Sequence, residues 1–119
     1  MVVITNVTRH TVVANRGVVA ERLVTRLLGL LTRSSLDPGE ALVFPRCNSI
    51  HTCFMRFPID VVFLQQGCVV KVVQALRPFR LAWAVGAETV IELPAGTAAR
   101  TSTEAGAVLE VAVTNSTGC

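Results

Sequence analysis

VVFLQQGCVVKVVQ, residues 61–74, is the stretch that decides the fold. Val61 to Leu64 is apolar at every position, as expected of a strand covered on both faces. Gln65-Gln66-Gly67 supplies a turn, with Gly67 free to take a positive φ. Cys68 to Gln74 then returns as a valine-rich partner strand. The pattern predicts a β-hairpin, the clearest in the chain.

Upstream of the hairpin lies CNSIHTCFMRFPID, residues 47–60. Pro58 has no amide proton and pushes Phe57 into an extended conformation, so a bulge or strand break is expected there. Further back, ALVFP (residues 41–45) reads as a short strand that Pro45 ends. Asp37-Pro38-Gly39 before it is a turn within a loop over 32–41. Ala20, Leu23, Val24, Leu27, Leu28 and Leu31 fall at helical spacing, which predicts an amphipathic helix over about 20–28, closed by Gly29. Residues 2–13 have strand composition, ANRG (residues 14–17) is expected to turn, and Val18-Val19 resumes the apolar pattern.

Downstream, RPFRLAWAVGAE (residues 77–88) reads as a long irregular connection anchored by Trp83. Residues 89–93 form a strand stopped by Pro94, AGTAARTST gives one or two short helical turns, and 107–113 is the last strand. Residues 114–119 read as a frayed tail. The fold class is therefore mainly β: a single-domain antiparallel β-sandwich or barrel of short strands with one amphipathic helix. The domain spans 1–119, with its core over about 5–113.

Composition narrows the function classes. The chain has 119 residues, 51% hydrophobic and 16% charged, which fits one domain with its own core and excludes global disorder. No stretch approaches the roughly 18 unbroken apolar residues of a membrane helix, so a soluble protein is expected. The start, MVVITNVTRHTVVA, lacks the layout of a signal peptide. The four cysteines are uneven in spacing, and a reduced, cytoplasmic chain is the expectation. A net charge of +3 permits an acidic partner, but no aromatic-basic interleaving marks a nucleic-acid surface.

Three chemistries compete in residues 47–60. In an extended segment His51, Cys53 and Met55 would share a face, with Cys47 able to approach after a bend, a set that suits zinc or a softer ion. The spacing C-x3-H-x-C matches no common zinc pattern and no second Cys/His pair exists, so no metal or other cofactor is expected. A Cys–His nucleophile pair lacks an evident third group to orient the imidazole. Arg56 and Asp60 flank Pro58, and an ion pair between them would close the bend. On the helix, Arg22 and Arg26 stand at i and i+4, a like-charged pair that is solvated, awaits an anion, or meets a distant acid such as Asp60 or Glu92.

Three motifs, read together in order, carry a family resemblance: TRHTVVANRGVVAERLVTRLLGLLTRSSLDPGEALVFP (8–45), SIHTCFMRFPIDVVFL (49–64) and VIELPAG (90–96). Over about residues 5–110 the chain resembles the family catalogued as domain of unknown function 192. The resemblance implies a compact, mainly β domain of bacteria and archaea with no established activity. It also implies recurring polar positions, here Arg26, Arg33, His51, Thr52, Arg56, Asp60 and Glu92. Cys53 and Cys68 match nothing recurrent. Members tend to carry Gly-Asp before the last strand, where this chain has Gly106-Ala107. Members resembling this subgroup occur beside pilus or secretion genes, which hints at such a partner.

These readings lead to one expectation and two rivals. The expectation is a non-enzymatic binding or accessory module, with a polar cleft for a small anionic group or peptide carboxylate. Arg26, Arg33 and Arg56 would donate to the ligand, and His51 and Thr52 would set its orientation. One rival is a small hydrolase or transferase using His51 with Asp60 or Glu92, assisted or not by a metal on Cys47, His51 and Cys53. The other is a purely structural domain that binds a partner through a surface centred on Trp83.

Overall fold

A computed structural model describes residues 1–20, 36–52 and 55–113. In chain order the elements are β1 (Val2–Asn6), β2 (Thr11–Val19), β3 (Glu40–Pro45), β4 (Ser49–His51), β5 (Ile59–Gln65), β6 (Cys68–Leu76), β7 (Leu81–Trp83), β8 (Thr89–Pro94), α1 (Thr97–Arg100) and β9 (Leu109–Val113). Seven strands make one sheet in the order β6-β5-β8-β3-β2-β1-β9, while β4 and β7 form a separate two-stranded ribbon. Pairing is antiparallel except between β2 and β3. The large sheet curls into a half-barrel. Its two edges meet at one end, where Cys68 bridges Val108 and the Val69 amide donates to the Ala107 carbonyl at 2.8 Å.

The β5–β6 hairpin forms as its sequence dictates. Gln66 and Gly67 both take positive φ, 51° and 80°, the mirror-image turn whose twist matches the flanking strands. Ile59 to Leu64 are all buried because the sheet has a core on each face. Val62, Leu64, Ile91 and Leu93 join Val2, Ile4 and Val13 in one cluster. Ile59, Val61, Phe63 and Val90 join Phe44, Met55, Ala82 and Ala84 in the other. The β4–β7 ribbon thus contributes to the second cluster, through Ala82 within it and the partly buried Ile50 packed against it.

Several expectations change. The first turn lies at Val7–His10, where the Asn6 carboxamide oxygen accepts from the Arg9 amide at 3.0 Å and His10 takes a φ of 58°. The ANRG segment runs on inside β2, with register shifts against β1. Gly17 is there for close approach, since an added Cβ would sit 2.6 Å from Val2 Cγ2. The 77–88 connection is not wholly irregular, because β7 forms within it. The helical signal after β8 produces the single turn α1. The helix expected over 20–28 lies outside the described residues apart from Ala20, as do the tail and the first part of the 32–41 loop, up to Ser35.

Candidate functional site

The polar residues singled out by sequence divide into sealed and exposed groups. Asp60 is fully buried. It lies opposite a bulge, since β5 advances from Ile59 to Val61 while β6 goes from Leu76 to Val73, one residue more. One oxygen, Oδ1, accepts from the Ala75 amide at 2.9 Å, a donor that the bulge releases from the ladder. Oδ2 accepts from Gly96 at 3.1 Å and Ala98 at 2.9 Å. Gly96 caps α1 without a side chain, so a carboxylate from a distant strand satisfies the helix start instead. Asp60 is therefore a structural stitch, and the ion pair expected with Arg56 does not form; Arg56 is exposed.

Thr52 is also buried and fully used. Its hydroxyl donates to the Arg77 carbonyl at 2.6 Å and accepts from the Arg80 amide at 2.8 Å. Its own amide donates to the Arg80 carbonyl at 2.8 Å, and its carbonyl accepts from Phe79 at 3.0 Å. These bonds hold the 77–80 turn against the end of β4. Thr52 therefore holds the neighbouring turn in place, and its hydroxyl, which donates one bond and accepts another, is sealed from solvent.

His51 ends β4 and is exposed, opposite Leu81 in the ribbon. Its imidazole has no hydrogen-bond partner among the described residues. Because β4 stops at His51, the expected row His51–Cys53–Met55 does not continue: Met55 is buried while His51 faces solvent. Glu92, at 3% exposed, sits inside β8 and is held by an interaction of its own. The structure thus separates an exposed imidazole from two buried carboxylates, and the pairs His51–Asp60 and His51–Glu92 are not brought together. Arg26, Arg33 and Cys53 lie outside the described residues. Cys47 is a free, half-buried thiol that donates to the Ser49 carbonyl at 3.0 Å. No group of three His, Cys, Asp or Glu side chains converges at metal-binding distance among the described residues.

A recess of about 660 Å³ does open beside the ribbon, lined among others by Arg46, Cys47, Asn48, Ser49, Glu88 and Thr89. Of the sequence candidates among the described residues, only Cys47 lines it. Arg46 stands at its mouth with a φ of 55°, a backbone conformation that non-glycine residues adopt uncommonly. Ser49 lines the recess and pairs directly with Trp83 across the ribbon, so recess and ribbon form one continuous surface.

That surface is basic. Between residues 46 and 88 the cations Arg46, Arg56, Lys71, Arg77 and Arg80 are all exposed, against two acids, the sealed Asp60 and the exposed Glu88 of the recess. It is also apolar: Phe79 is 65% exposed, Leu81 62%, Trp83 54% and Val85 92%. Lys71 fixes the Trp83 ring, donating to the Trp83 carbonyl at 2.7 Å with its ammonium 5.6 Å from the ring centroid. Sequence reasoning named Trp83 and missed Phe79, Leu81, Val85 and Arg46. The available signal was the alternation Leu-Ala-Trp-Ala-Val, in which small residues mark the inward face. Ala107, at the position where the resemblance leads one to expect an Asp, is buried in the first core cluster.

The sequence model of a family described as Uncharacterized ACR, domain of unknown function 192, matches residues 4–111. A UPF0127 protein of Pyrococcus abyssi is 38% identical over 85 residues, which covers 66% of this chain and 70% of that protein. Two crystal structures share the fold. One is a protein of unknown function from Novosphingobium aromaticivorans, with TM-score 0.75 and 23% identity, covering 92% of this chain and 82% of that one. The other, from Sinorhizobium meliloti, is described as a candidate transcription regulator, with TM-score 0.77 and 20% identity, covering 92% and 91%. No helix among the described residues is long and apolar enough to cross a membrane.

Proposed function

The chain belongs to the uncharacterised family of domain of unknown function 192, and from that premise we propose that it is a non-enzymatic binding module recognising a carboxylate or similar small anionic group. The observation that carries this reading is the charge asymmetry of residues 46–88, with five exposed cations against one exposed acid, Glu88, and one buried acid, Asp60, that three backbone amides already occupy. Such a surface attracts anions from solution and favours guanidinium–carboxylate contacts. His51 belongs to this surface through its pairing with Leu81, Arg56 is an exposed cation, and Arg46 replaces Thr52 as a ligand donor. Glu88 lines the same recess as Arg46. Repulsion from that carboxylate favours a singly charged carboxylate over a phosphate.

The test is an amide-shift titration of the protein with acetate, glutamate and phosphate, using chloride at matched ionic strength as the control. Acetate and glutamate are expected to give saturable shifts at Arg46–Ser49 and His51, stronger than those from phosphate. Shifts that never saturate, or that scatter over the whole sheet, would sink the reading.

A further inference from the structure

We propose that the partner is a protein segment combining acidic and large apolar side chains, seated on the ridge of Phe79, Leu81, Trp83 and Val85. This proposal deepens the carboxylate-binding reading and rests on it. The first argument is an inversion within β7 and its flank. Leu81, Trp83 and Val85 point outward while Ala82 and Ala84, at 4% and 9% exposed, point into the core. A strand with one covered face ordinarily turns its large apolar side chains inward. Four large apolar groups on one exposed ridge form the kind of patch that marks an interaction site, and exposed tryptophan commonly anchors interfaces.

Charge identifies the occupant. Lys71 lies on the Trp83 ring, Arg80 follows Phe79 directly, His51 pairs with Leu81, and Arg46 lines the recess next to Ser49. A second copy of the chain docking face to face would set these cations against their own kind, so a homodimer through this surface is disfavoured. A lipid bilayer would accept the apolar ridge. Pushing Trp83 into hydrocarbon, however, would also desolvate the Lys71 ammonium fixed over its ring, which opposes insertion. The polar positions Ser49 and His51, which pair directly with Trp83 and Leu81 across the ribbon, likewise suit a peptide that returns hydrogen bonds. An acidic segment supplies carboxylates to the rim and apolar side chains to the ridge.

Trp83 is the chain's single tryptophan, so intrinsic fluorescence reports this surface alone. The full chain would be titrated with a short peptide of alternating glutamate and leucine, with its lysine–leucine counterpart, and with vesicles of phosphatidylglycerol and phosphatidylcholine in equal parts. The glutamate–leucine peptide is expected to give a saturable blue shift that weakens with salt, and the lysine–leucine peptide none. Val85→Ser and Arg80→Glu are each expected to weaken binding by about tenfold without altering the circular dichroism spectrum. Three results would overturn the proposal: no saturable shift with the acidic peptide, a shift with vesicles only, or a shift driven by protein concentration alone with doubled mass in light scattering. If acetate moves the Arg46 and His51 amides while Trp83 stays silent to peptide, this inference fails and the carboxylate reading stands. If both are silent, both fail.

Discussion

β5 and β7 are both built from apolar residues, yet they bury opposite things. In β5, Ile59, Val61 and Phe63 enter one core cluster and Val62 and Leu64 the other. In β7 and its flank only Ala82 and Ala84 are buried, while Leu81, Trp83 and Val85 stay outside. The difference follows from position in the layers. β5 lies between β6 and β8, with packed side chains on both faces, so Ile59 to Leu64, Asp60 included, are all removed from water. The ribbon has one face against the sheet, and on that face β7 places only alanine methyl groups while β4 adds the partly buried Ile50. Leaving a Leu or Trp outside forgoes roughly 1.5–3 kcal/mol relative to burying it. Hydrophobic composition alone therefore does not identify core residues; the neighbour that covers them does.

The most severe break of this comparison is Phe63→Ala. Phe63 is fully buried among Phe44, Met55 and Val90, and its loss should cost about 3–5 kcal/mol in a urea unfolding curve. Trp83→Ala removes a larger side chain, yet its expected cost is at most about 1 kcal/mol, mainly the lost contact with Lys71. Equal losses in the two variants would mean that Trp83 is a core residue in solution, and the contrast would collapse.

A second break concerns the polar residues. Asp60→Ala strands three backbone amides and removes the cap that α1 receives from β5, so about 2–4 kcal/mol should be lost. Asp60→Asn should recover part of this, because it keeps one acceptor oxygen. A fully stable Asp60→Ala protein would contradict the structural role and return Asp60 to the list of functional candidates.

How much of this was legible in the sequence depends on the range of the interaction involved. The β5–β6 hairpin was legible because Gln65-Gln66-Gly67 encodes its own turn between two apolar runs, and the strands at β3, β8 and β9 were legible for similar local reasons. The first hairpin was misplaced because Asn15-Arg16-Gly17 has turn composition, whereas Gly17 answers to Val2 across the sheet. Asp60 was read as one half of an ion pair because Arg56 is near in sequence. Its real partners, Ala75, Gly96 and Ala98, are backbone amides 15 to 38 residues away and have no sequence signature. The exposed ridge was half legible: Trp83 stood out, but the inward alanines gained meaning only once the ribbon was seen against the sheet.

Thr52→Val sharpens the comparison at the point where core and ridge meet. The substitution keeps the shape of a buried side chain but deletes the bond to the Arg77 carbonyl and the acceptor for the Arg80 amide. It should cost about 1–2 kcal/mol. It should also loosen the turn that presents Phe79, so acidic-peptide affinity at the Trp83 reporter would fall although Thr52 itself touches no partner. A stability loss with unchanged affinity would confine Thr52 to the scaffold.

The smallest expected effect on stability is the most informative about the ridge. Leu81 is 62% exposed and pairs with the exposed His51, so Leu81→Ser removes little buried area and should change unfolding free energy by no more than about 0.5 kcal/mol. A leucine contributing so little to the fold, placed where serine would be better hydrated, is at odds with folding stability as the reason for its presence. The decisive measurement compares wild type and Leu81→Ser for stability by urea melts and for solubility by light scattering, both without partner. If the variant is equally stable and more soluble, the ridge carries a standing cost to the free protein, and contact with another molecule is what offsets it. If Leu81→Ser instead unfolds early, Leu81 packs within the chain and β7 is no exception to the rule that β5 illustrates.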